Sequence, residues 1–143
     1  MTKEKKQIID DMVSNENLCV LATIEGNVPH TSLMTFFADH AAMKFYFLTH
    51  STSKKYKNLK KNPHVSLLID RRADDLALSI EGHHLPIRKK QTVEAIIRLY
   101  LLKHPEMEEF ANHPDTELIR IQGTAAQLAQ GMDTIFTTKL KNS

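Results

Sequence analysis

Glycine is scarce. Gly26, Gly82, Gly123 and Gly131 are the only ones in 143 residues, and they form neither a Walker nor a Rossmann pattern. A glycine-rich phosphate loop is therefore excluded, and any phosphate must be held by side chains and a helix end. Cysteine is scarcer still. Cys19 stands alone, so no internal disulfide forms, in keeping with a reducing compartment. It lies within Leu18-Cys19-Val20-Leu21, the setting of a core thiol and not of a nucleophile. No apolar run is long enough to cross a bilayer, and the first residues lack the apolar core of a signal peptide. The expectation is a cytoplasmic protein with no membrane partner. Neither sign of charge dominates: 19 lysines and arginines face 17 acids, for a net charge of +2. The basic residues form separate clusters interrupted by acids, and Tyr56 is the sole aromatic of the stretch 54–61. Single-strand nucleic-acid binders need stacking aromatics beside a basic groove, so no nucleic-acid partner is expected.

What remains is an ordinary globular composition, 41% hydrophobic and 25% charged, in a chain sized for a single domain, 1–143, with a real core. Residues 3–14 read as a helix, with Ile8, Ile9, Met12 and Val13 on one face. Strands are expected at 18–24 and 29–37, joined at hairpin spacing by Gly26-Asn27. A loop at 38–42 precedes a third strand at 43–49. A short helix at 53–61 is stopped by Pro63, and 64–70 is a fourth strand. Asp74-Asp75 marks a turn. Leu76, Leu78 and Ile80 then alternate with Ala77, Ser79 and Glu81, in a strand that continues through His83 toward Ile87 with Gly82 as a bulge. Val93, Ile96, Ile97, Tyr100 and Leu101 mark an amphipathic helix, and Pro105 opens a second short one. Residues 117–122 alternate again and continue toward Leu128; 132–136 either add an edge strand or fray. About six antiparallel strands with helices in the connections make a mainly β (α+β) chain, a small closed or split β-barrel with peripheral helices.

The segment Thr49-His50-Ser51-Thr52-Ser53-Lys54-Lys55 carries the strongest chemical signal. Ser53 is placed to cap the helix at 53–61, which puts Lys54 and Lys55 at its first positions. That end favours acids, by about 0.3–1 kcal/mol per charge. Paired lysines there are mildly destabilising unless an anion lies between them. Free amides, hydroxyls and ammonium groups at one point suit a phosphate; a solvated basic face is the other reading, and spacing alone leaves both open. The strand before, Pro29-His30-Thr31-Ser32-Leu33-Met34-Thr35-Phe36, mixes hydroxyls with flexible apolar side chains. It reads as an ordinary strand with one wet face, or as a wall for a flat heteroaromatic ring. A ring and a phosphate held by successive elements point to a phosphorylated aromatic cofactor. The eight histidines show no HxxxH or HExxH spacing, and the adjacent His83 and His84 face opposite ways on a strand, so no metal site is expected. No G-x-S-x-G elbow supports a nucleophilic serine. The pairs Asp10-Asp11, Asp74-Asp75 and Glu108-Glu109 read as solvated turns or helix faces.

Residues 29–35, Phe45-Tyr46-Phe47-Leu48-Thr49, and Ser53-Lys54-Lys55 followed by Lys57-Asn58-Leu59, Asn62-Pro63 and Val65-Ser66-Leu67 form a recognisable series. Together with His104-Pro105-Glu106-Met107 and Glu117-Leu118-Ile119-Arg120-Ile121, it resembles the pyridoxamine 5'-phosphate oxidase-like FMN-binding split-barrel family over nearly the whole chain. The resemblance implies a six-stranded antiparallel split β-barrel that forms a homodimer with FMN at the interface. By position, Thr49, Ser53, Lys54 and Lys55 would hold the FMN phosphate. Ser32, Leu33, Met34 and Thr35 would line the isoalloxazine ring and ribityl chain, partly through backbone groups. Asn58 would sit near the phosphate, and Ala77 to Ser79 would approach the flavin from the partner subunit. The implied activity is a flavin-dependent oxidoreductase acting on a small molecule. An F420-dependent reductase of the same fold, or a flavin-binding storage module without turnover, are the alternatives. No catalytic side chain is indicated. The oxidase itself carries an arginine on its second strand and an aromatic, arginine-rich C-terminal segment. Here that strand reads His30-Thr31-Ser32-Leu33-Met34, tryptophan is absent, and the chain ends in Thr137-Thr138-Lys139-Leu140-Lys141-Asn142-Ser143. The cofactor is therefore implied more strongly than pyridoxamine phosphate oxidation.

Overall fold

A computed structural model of the chain describes residues 2–140. Side-chain alternation builds its sheet. In β1 (Leu18–Glu25), Cys19, Leu21 and Thr23 are buried while Leu18, Val20 and Ala22 face the other way. The hairpin partner β2 (Val28–Thr35) follows through a turn at Gly26, whose φ of +64° is a backbone conformation glycine adopts without strain. β3 (Phe37–Asp39) and β4 (Lys44–His50) come next. β5 (His64–Arg71) and β6 (Leu76–His84) repeat the two-residue period, burying Val65, Leu67 and Ile69, then Leu76, Leu78 and Ile80. β7 (Thr116–Gln130) and β8 (Thr134–Lys139) complete the described strands.

The strand order is β2-β1-β5-β6-β7-β4-β3, every pairing antiparallel, with β8 also on β7. The two ends of that path, β2 and β3, are separated in the chain by Phe36 alone. One residue spans about 3.6 Å of extended chain, so the sheet must curl until its ends nearly meet. The 15-residue β7 makes this possible. One of its edges carries β4 along residues 116–122 and β8 along 125–130; the other carries β6.

Phe36, Phe45 and Phe47 fill the interior, with Phe36 centred 6.2 and 6.5 Å from the other two rings. Each such burial contributes about 1.5–3 kcal/mol. α1 (Thr2–Asn15) adds Ile9, Met12 and Val13 to this core. Arg71 ties it down, donating to Asp11 and to Glu16 at 2.7 Å each. α2 (Lys54–Lys61) packs Leu59 into the core. α3 (Lys90–Lys103) and α4 (Glu108–Ala111) follow β6.

The described residues contain eight strands where six were expected. The expected strand at 29–37 breaks at Phe36, whose side chain is buried and whose amide donates to the Asn17 carbonyl at 3.1 Å. β3 therefore starts at Phe37 and runs on through 38–39, the first part of the loop expected at 38–42. The segment near 132–136 pairs with β7 and becomes β8. β6 stops at His84, short of Ile87: Leu85 donates to the Arg120 carbonyl, and Pro86 has no amide hydrogen to continue. The bulge at Gly82 is present as a register shift between Glu81 and Gly82. A Cβ at Gly82 would lie 2.4 Å from the Gln122 carbonyl oxygen, which no real side chain tolerates. The last three residues of the C-terminal tail, 141–143, lie outside the described residues.

Candidate functional site

The start of α2 is built by the end of β4. Ser53 has extended φ and ψ of −68° and 151°, and its Oγ accepts the Tyr56 amide at 3.2 Å, the geometry of an N-cap. Its own amide donates to the His50 carbonyl at 3.0 Å, closing the turn, and its carbonyl accepts Lys57 N–H at 3.2 Å. The Thr49 hydroxyl is buried, 2.9 Å from Ser53 Oγ. The amides of Lys54 and Lys55 precede the helix's own i to i−4 bonds and lack helical partners by construction. Two hydroxyls and the positive end of a helix thus share one corner.

This corner opens into a cleft of about 420 Å³. Leu33, Met34 and Thr35 come to it from β2; Leu48, Thr49 and His50 from β4; Ser53 and Lys55 from α2; Met107 and Phe110 from beyond α3; and Leu18 from β1. Of the residues singled out in the sequence, the structure gathers Leu33, Met34, Thr35, Thr49, Ser53 and Lys55. It sends three elsewhere. Ser32 pairs with Leu21, half-buried on the face of β2 opposite Leu33. Asn58 is buried and donates its side-chain amide to Thr23 Oγ1 at 3.2 Å, on the β1 side of α2. Lys54 also faces β1, with Nζ 3.3 Å from Glu25 Oε1. That ammonium, with His30 behind it, holds the Glu25 carboxyl below the usual carboxylate range.

β2 ends the strand path and pairs only with β1 among the described residues. Half its backbone donors and acceptors are therefore free of the ladder, along the stretch that lines the cleft. Thr35 is fixed from the other side: its hydroxyl lies 2.5 Å from the Tyr100 hydroxyl. Burial pushes the Tyr100 phenol up, so it stays neutral. Four residues on, His104 Nε2 lies 2.7 Å from the Phe36 carbonyl, so that nitrogen carries the proton and donates it. Lys103 Nζ donates to the Glu16 carbonyl at 2.7 Å. The last turn of α3 is thus clamped onto the β2–β3 turn, and the chain beyond it delivers Met107 and Phe110 to the cleft. The Phe110 ring meets His50 edge-on at 4.6 Å, and His50 lies 4.7 Å from His113.

Sequence reasoning missed His50, Met107 and Phe110. A signal existed: Met107 and Phe110 are apolar at helical spacing among Glu106, Glu108 and Glu109, in a segment too short to bury a face of its own. Cys19 is buried, and burial pushes its thiol up to about 12, so it holds no thiolate at neutral pH. No group of three or more histidine, cysteine or carboxylate side chains could hold a metal among the described residues. No helix there is long and apolar enough to cross a membrane.

A curled antiparallel sheet closed through a single residue, with helices at its ends, is a split β-barrel. The chain belongs to the pyridoxamine 5'-phosphate oxidase family: the family's profile, described as Pyridoxamine 5'-phosphate oxidase, matches residues 5–130. Among solved structures it is similar to General Stress Protein 26 from Bacillus anthracis str. Sterne, at 23% identity over 96% of this chain and 99% of that one, with a TM-score of 0.72. It is similar to a Clostridium acetobutylicum protein related to general stress protein 26 of B. subtilis, at 16% identity, 98% and 97% coverage and a TM-score of 0.77. It is also similar to a heme binding protein from Mycobacterium smegmatis, at 13% identity over 94% of this chain and 57% of that one, with a TM-score of 0.81. At these identities the likeness shows the fold alone. No curated protein matches.

Proposed function

We propose that this protein is a homodimeric, cytoplasmic FMN-binding flavoprotein that works as a flavin-dependent oxidoreductase on a small molecule. One observation carries the reading. The Thr49–Ser53 hydroxyl pair, the Lys55 side chain and the unpartnered first-turn amides of α2 meet in one cleft, directly beside a half-free edge strand. Hydroxyls, amides and an ammonium are the donor set of a phosphate monoester. The edge strand supplies alternating donors and acceptors for the rim of a heterocycle. The donor set fits FMN, which when bound supplies the redox chemistry by accepting and passing on electrons.

The chain's own residues then have distinct tasks. Thr49, Ser53 and Lys55 would hold the phosphate and offset its charge. The backbone of Leu33, Met34 and Thr35 would orient the ring, with Tyr100 keeping Thr35 in place. Met107 and Phe110 would exclude water from the cleft's outer side. The dimer is supported by the outward sheet face, where Leu18, Leu33 and Leu68 are 48%, 70% and 40% exposed and line one hollow with Ala77. Leu18 and Leu33 also line the cleft. A second copy seated there would bury an apolar patch that a monomer rarely leaves open, and would place the cleft at the subunit boundary.

The phosphate of a deazaflavin would meet the same donors. The visible absorption spectrum of the freshly purified protein, before and after addition of FMN, decides. A flavin band that remains with the protein on desalting supports the proposal; a deazaflavin band replaces FMN with F420. A colourless protein that fails to retain FMN refutes it. Reduction of the bound flavin by NAD(P)H, followed by reoxidation with candidate acceptors, separates an enzyme from a storage module.

A further inference from the structure

We propose that Glu25 is a specificity-determining residue of the phosphate end: its carboxylate holds Lys54 until a doubly charged phosphate ester displaces it. The inference rests on the flavin reading above. Glu25 ends β1 beside the Gly26 turn, where the β1–β2 hairpin meets the first turn of α2. Its Oε1 lies 3.3 Å from Lys54 Nζ and 3.2 Å from His30 Nε2. Of the two, Lys54 carries the fixed charge and does more to hold the Glu25 carboxyl below its usual range. Lys57 and Lys61, one and two helical turns further on, line a groove with the same carboxylate.

This arrangement answers the misplaced charge at the helix start. A lysine at the first helical position is repelled by the helix end, and Glu25 offsets that. Lys54 follows the Ser53 cap directly, and its long, flexible stem can swing its ammonium from the carboxylate to an anion bound at the cap. A phosphate monoester carries a charge of about −1.5 to −2 near neutral pH, against one for the carboxylate, and the helix end attracts it as well. It therefore wins Lys54. A flavin without phosphate has nothing to offer Lys54, and a singly charged anion only matches Glu25. The carboxylate thus raises the threshold for occupying the site and favours the doubly charged ester.

The test titrates FMN and riboflavin against wild type, Glu25→Gln, Lys54→Ala and the double variant, with flavin fluorescence as readout. Both side chains are exposed, so the variants keep the fold. Expected is about two- to fivefold tighter FMN binding by Glu25→Gln, the scale of an exposed ion pair. Riboflavin affinity stays unchanged, and the gain disappears in the Lys54→Ala background. Wild type that binds no FMN refutes the flavin reading, and the inference falls with it. Wild type that binds FMN in a Lys54-dependent way, with no gain from Glu25→Gln, refutes the inference alone. So does an equal gain for riboflavin, or a gain that persists without Lys54.

Discussion

Alanine at Lys55 and at Lys54, made separately, tests the site more sharply than the pair removed together. Lys55 lines the cleft with Ser53 and Thr49, whereas Lys54 is 59% exposed and engaged with Glu25. A hydrogen bond to a charged group contributes about 1.5–3 kcal/mol, so losing Lys55 should weaken FMN binding by about 10- to 150-fold. Lys54 sits at the low end of that range because water screens it. It must also surrender its exposed, solvent-screened ion pair with Glu25. The expected loss is therefore smaller, about two- to tenfold. The assay is quenching of FMN fluorescence at fixed ionic strength, with riboflavin as the phosphate-free control and thermal unfolding as the check on the fold. Without ligand, Lys55→Ala should unfold at or slightly above the wild-type temperature, since it removes a positive charge from the positive end of a helix, and Lys54→Ala close to it, since that variant also loses the Glu25 ion pair. Unchanged FMN affinity in Lys55→Ala would place the phosphate elsewhere. A larger loss in Lys54→Ala than in Lys55→Ala, or an equal loss of riboflavin, would overturn the division of labour.

Three further outcomes follow from the geometry. Leu33→Glu combined with Leu68→Glu puts charges on the outward apolar face and should turn a dimer into a folded monomer; sedimentation showing an unchanged dimer would locate the interface elsewhere. Hydrogen bonds from Arg71 and Asn15 hold Asp11 below the usual carboxylate range. A depressed folded value stabilises the protein above the unfolded value, near pH 3.9, and the contribution is lost as pH falls through the folded one. Arg71→Met should therefore flatten the acid side of a urea-midpoint profile between pH 6 and pH 2, and a profile parallel to wild type would refute this. Cys19, buried and pushed up to about 12, should not react with a thiol reagent at pH 8 until denaturant is added, and rapid labelling of the native protein would contradict its place in the core.

Most strands were legible because one face of each is buried. The two-residue period of Val65, Leu67 and Ile69, or of Leu78 and Ile80, is a direct imprint of a wet side and a dry side. The Ser53 cap was legible for the same local reason, since its partner lies three residues away. The break at Phe36 was not, because a buried phenylalanine in a run of apolar residues looks the same whether the strand continues or crosses to the far end of a sheet. Closure is a property of the whole path, and only Asn17, from a distant segment, shows where the Phe36 amide goes. Lys54 and Lys55 were inseparable in the sequence. About 100° of helical rotation sends one toward Glu25 and the other into the cleft, and the acid that makes the difference sits on another element. Asn58 was set near the phosphate by the resemblance, whereas its side-chain amide serves Thr23 on β1.

The parts of the cleft proposed to recognise a cofactor and the parts that would choose a substrate differ in kind. A phosphate end needs donors at fixed spacing, so it leaves a local pattern: Thr49, Ser53 and Lys55 within seven residues. A flavin brings its own redox chemistry, so the protein need not add a catalytic acid, base or nucleophile, and none is marked in the sequence. Selection among substrates falls to whatever faces the ring. On the proposed reading that would be the Met107–Phe110 wall, set in place by Tyr100 and His104, and, in a dimer, the surface of a second copy around Leu68 and Ala77. Such contacts would be apolar and long-range, and apolar walls discriminate by shape, about 1–3 kcal/mol per methylene. On that reading a change of substrate would follow from altering Met107 or Phe110 with the proposed phosphate donors intact, so proteins sharing this cradle would share a cofactor more readily than a reaction.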